Sequence, residues 1–154
     1  MLPGLCALLL SACPEPYDPN EPLPTVEVGT GDHRGFLALS AVPGVVVEDG
    51  PQGGSHISVW LRTQRFSGPV TIQYGVKDGP TGQSISQSGL QRQLQSMPPD
   101  GLVPLTAFLL PGDTRNLVGR QVTLWAMVKD NRHPPIHDER ATQVVDPSTQ
   151  GNPP

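Results

Sequence analysis

Gln121-Val122-Thr123-Leu124-Trp125-Ala126-Met127-Val128-Lys129 decides the fold. Val122, Leu124, Ala126 and Val128 occupy one phase. Gln121, Thr123, Trp125, Met127 and Lys129 occupy the other. A period of two puts the two sets on opposite faces of a β-strand. The same alternation recurs in Ser55–Arg62, where Ile57, Val59 and Leu61 interleave with His56, Ser58, Trp60 and Arg62. It recurs again in Val70–Lys77, where Val70, Ile72, Tyr74 and Val76 interleave with Thr71, Gln73, Gly75 and Lys77. Strands patterned this way are half-buried and antiparallel, as in sandwiches.

Outward from these three, Thr25–Val28, Phe36–Leu39, Val45–Glu48, Val103–Leu110 and Arg140–Val145 are weaker strand candidates. Glycine and proline clusters at 50–54, 78–82, 98–101 and 111–113 supply the turns between them. Residues 83–97 are read as an irregular crossover with room for one helical turn, because Leu90, Leu94 and Met97 fall at helical spacing while Gly89 and the Ser-Gln repeats oppose a helix. The expected fold is all-β, an antiparallel sandwich of about seven to nine strands. Over residues 25–146 the strand order resembles an immunoglobulin-like domain. It departs from the antibody type in lacking the paired cysteines.

The N-terminus carries a different message. Leu10-Ser11-Ala12-Cys13 closes the short apolar run Leu5–Leu10. A membrane-spanning helix needs roughly 20 apolar residues. A shorter run ending at small residues reads as a signal peptide and its cleavage site. The tetrapeptide resembles a bacterial lipobox, with no Lys or Arg before the apolar run as the one departure. That resemblance implies cleavage after residue 12, acylation of Cys13 by chains such as palmitate, and anchorage in a bacterial cell envelope. Two or more chains hold a protein stably at a membrane. Five of the eleven residues from Pro14 to Pro24 are proline, which makes a semi-rigid spacer. The polar tail 147–154 is expected to be disordered. Val26-Glu27-Val28-Gly29-Thr30-Gly31 and Gly50–Ile57 together look like lipoproteins of myxobacteria and their relatives. That second resemblance implies the anchor and the β fold, and no activity.

The chain of 154 residues has a formal charge of −4. Residues 25–146 hold eleven acids and ten bases, so the domain is almost neutral and lacks the basic stripe of a nucleic-acid binder. The two cysteines, Cys6 and Cys13, both fall in the N-terminal segment. The domain therefore has no thiol for a disulfide, a nucleophile or a zinc site.

Candidate chemistry is sparse. His133-Pro134-Pro135-Ile136-His137-Asp138-Glu139 offers His133, His137 and Asp138 as weak metal ligands. The Pro-Pro pair opposes a helical site, and the plainer reading is a polar loop between the last two strands. Gly50–Gly54 has no Gly-Lys-Ser/Thr ending and precedes a strand, so it is a turn and not a phosphate cradle. His56 opens a strand without a serine elbow and reads as a surface histidine. Trp60 and Trp125 stand in the polar phase of their strands. If those strands share a sheet, the rings form an exposed platform for a glycan or a protein; the alternative is that each is covered.

These features point to a non-enzymatic envelope lipoprotein that displays one sandwich to a protein or glycan partner and needs no cofactor. The competing readings are a metal-dependent hydrolase using the His133/His137 segment and a structural subunit of a secreted assembly.

Overall fold

The computed structural model describes residues 19–50, 53–94, 101–109 and 116–149. The lipobox with Cys13, the first half of the proline spacer and the last five residues lie outside them. Nine strands follow one another: β1 Thr25–Asp32, β2 Gly35–Ala38, β3 Val47–Asp49, β4 Ser55–Gln64, β5 Gly68–Asp78, β6 Ser84–Leu94, β7 Gly101–Leu109, β8 Gln121–Lys129 and β9 Ile136–Gln143. Short 3-10 turns occupy Leu39–Ala41 and Pro147–Thr149.

The strands form two antiparallel sheets. In the first, β4 is central. One of its edges pairs with β7 along 55–63. The other edge is shared by β1 (Thr25↔Gln64 to Gly29↔Trp60) and β3 (Val47↔Ile57 to Asp49↔Ser55). Strand β2 folds back on β1. The second sheet has the order β6-β5-β8-β9. Strand β4 thus pairs with β7, and β5 with β8 and β8 with β9. Among the described residues these pairings make an antiparallel β-sandwich of nine strands. A parallel bridge between Val45 and Val144 ties the approach to β3 to the chain leaving β9.

The alternation predicts the core of three strands correctly: Ile57, Val59 and Leu61 of β4, Val70, Ile72 and Val76 of β5 and Val122, Leu124, Ala126 and Val128 of β8 are buried between the sheets. Val103, Leu105 and Ala107 of β7 join them. At about 25 cal/mol per Å² of apolar area, this burial is the main force holding a domain without disulfides.

Two stretches differ from expectation. Ser84–Leu94 is a strand, not a crossover. Its phase opposite Val76, Tyr74, Ile72, Val70 and Gly68 is Ser86, Ser88, Leu90, Arg92 and Leu94. Polar residues stand where apolar ones would mark the period, and a ladder of ten pairs with β5 overrides the weak local preference. Strand β9 begins at Ile136 and ends at Gln143, where Arg140–Val145 was expected. His137, Asp138 and Glu139 therefore lie in a strand and not in a loop. The end of the proline spacer is docked: the Leu23 carbonyl accepts a hydrogen bond from Arg65 Nε (3.0 Å). In the C-terminal tail, Asp146 accepts from the backbone N–H of Ser148 at 2.8 Å, a local bond that holds the final turn.

Candidate functional site: the outer face of the first sheet

Because Ile57, Val59 and Leu61 point inward, His56, Ser58, Trp60 and Arg62 of β4 must point outward. Register then fixes their neighbours. Leu102, Pro104, Thr106 and Phe108 of β7 stand opposite Arg62, Trp60, Ser58 and His56. Glu27 and Gly29 of β1 stand opposite Arg62 and Trp60, and Phe36 of β2 stands opposite Gly31.

Glycine makes this face possible. A Cβ on Gly31 would lie 2.6 Å from the Trp60 ring, and one on Gly29 would lie 2.6 Å from the Phe36 ring. Each ring therefore rests against bare β1 backbone, the close approach that glycine permits. The Arg62 guanidinium covers Phe36 at 4.8 Å from the ring centroid, and the same group pairs with Glu27. His56 Nε2 lies 3.2 Å from Glu48 of β3. Its ring is tilted against Phe108 with centroids 6.3 Å apart. Ser58 Oγ donates to Glu48 at 3.4 Å.

The apolar members are unusually open. Phe108 is 67% exposed and Leu102 47%. Pro104 is exposed, and Trp60 is partly exposed. Among the described residues the other large exposed apolar side chains are scattered: Leu23 before β1, Leu37 in the opposite phase of β2 and Val118 before β8. At the β1 end of the face, Thr25, Val26, Glu27, Arg62 and Gln64 line a hollow of about 210 Å³.

Trp125 is elsewhere. Strand β8 belongs to the second sheet, so Trp60 and Trp125 face away from each other on opposite sides of the sandwich and do not form one platform. Trp125 is only 8% exposed. Its ring lies over Gly75, where a Cβ would sit 3.0 Å from Nε1. Lys77 covers it at 5.5 Å and is paired in turn with Glu139. Its Nε1 is buried with no hydrogen-bond partner among the described residues.

The three weak metal candidates are also dispersed. His133 Nδ1 bonds Asp130 at 2.8 Å, and both side chains are buried. Asp130 also accepts the backbone N–H groups of Arg132 and His133. Burial raises the Asp130 pKa, but these bonds outweigh it and hold the carboxyl below its ordinary value. His137 lies on the outer face of β9, 3.1 Å from Glu139. Asp138 occupies the opposite, inward phase. Its Oδ2 accepts the backbone N–H of Val28 at 2.8 Å and is 2.9 Å from Arg140. Among the described residues no three His, Cys, Asp or Glu side chains are placed to share a cation.

Phe108, Leu102, Pro104 and Phe36 are the members of this face that sequence reasoning passed over. Val103–Leu110 reads as a nearly unbroken apolar run, so its phase is hidden. No local sequence signal gives their place: it follows from the β4–β7 register, which sets the β7 residues opposite in phase to Val103, Leu105 and Ala107 on the face of Trp60. No protein-family model matches the chain, and no curated protein matches it.

Proposed function

We propose that this protein is a non-enzymatic lipoprotein of a bacterial cell envelope, anchored through Cys13, that binds a protein or glycan partner with the outer face of its first sheet. One observation carries the reading. Trp60, Pro104, Leu102 and Phe108 share one sheet face, with Phe108 two-thirds uncovered, whereas the other exposed apolar side chains among the described residues are single. Grouped exposed apolar residues with polar neighbours mark interaction surfaces. His56 and Glu48 supply the rim beside Phe108, and the Ser58–Thr106 pair lies within the face between Phe108 and Trp60. The lipobox and the proline spacer support the compartment. Residues 21–24 are docked on the domain; if the five residues 14–18 are extended at ~3.1 Å per residue, they add on the order of 15 Å between Cys13 and the domain. No observation favours the hydrolase reading, since His133 and Asp138 are each engaged in holding the fold.

The test uses the full chain expressed in a bacterial host. The wild type should enter the detergent phase and Cys13→Ala should not. The Cys13→Ala protein should co-sediment with isolated envelope, and adding Phe108→Ser should release it. Envelope binding indifferent to Phe108 would overturn the assignment of the face, and an aqueous wild type would overturn the anchor.

A further inference from the structure

From charge, area and spacing we infer that the occupant of this face is an extended, uncharged oligosaccharide, an inference that rests on the reading of the face as a binding surface. The one fixed cation of the face among the described residues is already engaged. Arg62 pairs with Glu27 and covers Phe36, and the His56 ring lies against the Glu48 carboxylate. Glu27 and Glu48 oppose a carboxylate, sulfate or phosphate, so the face disfavours an anionic ligand.

Area separates a sugar from a second protein. An aromatic side chain buries 150–250 Å², so Phe108 at 67% exposure offers about 130 Å². With Leu102, Pro104 and the open part of Trp60, the apolar surface is on the order of 300 Å². A stable protein interface buries about 800 Å² from each partner, of which roughly 450 Å² is apolar. The strip falls short of that and suffices for a few sugar rings.

Spacing fixes the shape of the ligand. Phe108 is opposite His56, four positions along β4 from Trp60. At about 3.3 Å per residue their backbone positions are roughly 13 Å apart along the strand, and the Trp60 ring, lying over Gly31, leans from its own position towards that of Ser58. Ser58 and Thr106 lie between them as a cross-strand pair. The face thus alternates ring, hydroxyls, ring. A sugar presents C–H groups on its faces and hydroxyls around its rim. Trp60 and Phe108 would stack on two sugar rings of one chain, while Ser58, Thr106 and Glu48 bond the hydroxyls between. A monosaccharide would reach only one of the aromatic rings.

The full lipidated chain, in a detergent without a sugar headgroup, is titrated calorimetrically with cellohexaose and chitohexaose, with polygalacturonate as the charged control. At least one neutral hexaose should bind saturably, and polygalacturonate should not compete. Trp60→Ala and Phe108→Ser should each weaken binding at least tenfold, with Trp125→Phe leaving it unchanged. Phe108→Ser alters a solvent-facing side chain and keeps the variant set informative if Trp60→Ala unfolds. Three results overturn the inference. If neither hexaose binds while envelope co-sedimentation still depends on Phe108, the face binds something else and the broader reading stands. If hexaose binding survives both face variants, the sugar site is elsewhere. If sedimentation velocity finds a dimer that Phe108→Ser dissolves, the occupant is a second copy of the chain.

Discussion

Replacing Asp138 by alanine separates a structural carboxylate from a metal ligand. In the fold, Asp138 Oδ2 accepts the Val28 N–H at 2.8 Å. Val28 belongs to β1, whose other edge is already paired with β4, so this N–H points across the sandwich corner towards β9. Val28 is 1% exposed, and water has little access to the orphaned donor. A buried unsatisfied polar group costs about 1–3 kcal/mol. The Asp138–Arg140 pair adds little, because the Arg140 side chain is 49% exposed and pairs of that kind contribute roughly 0–1 kcal/mol. The expected loss is about 2 kcal/mol. With a urea dependence of roughly 2 kcal/mol per M for a domain of this size, the midpoint should fall by about 1 M. Asp138→Asn keeps an acceptor oxygen and should recover about half of that loss. Urea unfolding followed by tryptophan fluorescence gives the midpoints, and amide exchange at Val28 reports the bond itself. An unchanged midpoint with an undisturbed Val28 amide in Asp138→Ala would refute the reasoning. So would a chelator that lowers the wild-type midpoint and leaves the variant unmoved, because that pattern belongs to a metal ligand.

Three further outcomes follow from the same geometry. Hydrogen bonding from Thr81 to Asp78 and from Lys77 to Glu139 holds both carboxyls below their ordinary values, and Asp130 and Asp146 are held down as well. Their contributions are present above the ordinary carboxylate values, 3.8 for aspartate and 4.5 for glutamate, and are lost as pH falls through the lower folded values. Thermal midpoints should therefore be level near neutrality and drop below about pH 4; a midpoint that rises on acidification contradicts the sign. Gly75→Ala should cost about 3 kcal/mol, because a Cβ there would sit 2.0 Å from the Ser86 carbonyl oxygen, and denaturant midpoints check it. Trp125→Phe removes a buried donor without a partner as well as ring area, and the two changes should cancel to within about 1 kcal/mol. A loss matching the 3–5 kcal/mol of a Trp→Ala truncation would mean that Nε1 has an acceptor.

The strands that build the core were legible because their inward phase is apolar and unbroken. Val122, Leu124, Ala126 and Val128 could have no other arrangement. Strand β6 was hidden for the opposite reason: Ser86 and Ser88 occupy its inward phase, and it is held by its ladder with β5. Strand β9 carries His137–Arg140 in its first half and looks like a loop until Asp138 is seen bonding β1. Phase told which face each tryptophan occupies, but not which sheet. That depends on which distant strands pair, β4 with β7 and β5 with β8, and nothing local to Trp60 or Trp125 encodes it. The glycines of β1 were noticed for their pattern. Their physical role emerged only when Trp60 and Phe36 were found resting on Gly31 and Gly29.

Where the sandwich can bind depends on how its corners are closed. Strands β7 and β1 bring backbone groups to corners of the sandwich, which are ready sites for strand addition. Side chains from the opposite sheet already occupy some of them. Tyr74 Oη donates to the Thr106 carbonyl at 3.0 Å, Ser86 Oγ donates to the Phe108 carbonyl at 2.6 Å, and Asp138 takes the Val28 N–H. A peptide adding there would have to displace bonds that hold the two sheets together, so the backbone of these strands is a poor source of binding energy. The side chains of the outer face remain. The bonds that close the β7 corner also fix the backbone under Thr106 and Phe108, and Gly31 gives Trp60 a rigid seat. A ligand meeting these groups finds them already in place, which lowers the ordering cost that otherwise consumes contact energy. A surface of only a few hundred Å² needs that advantage to bind at all.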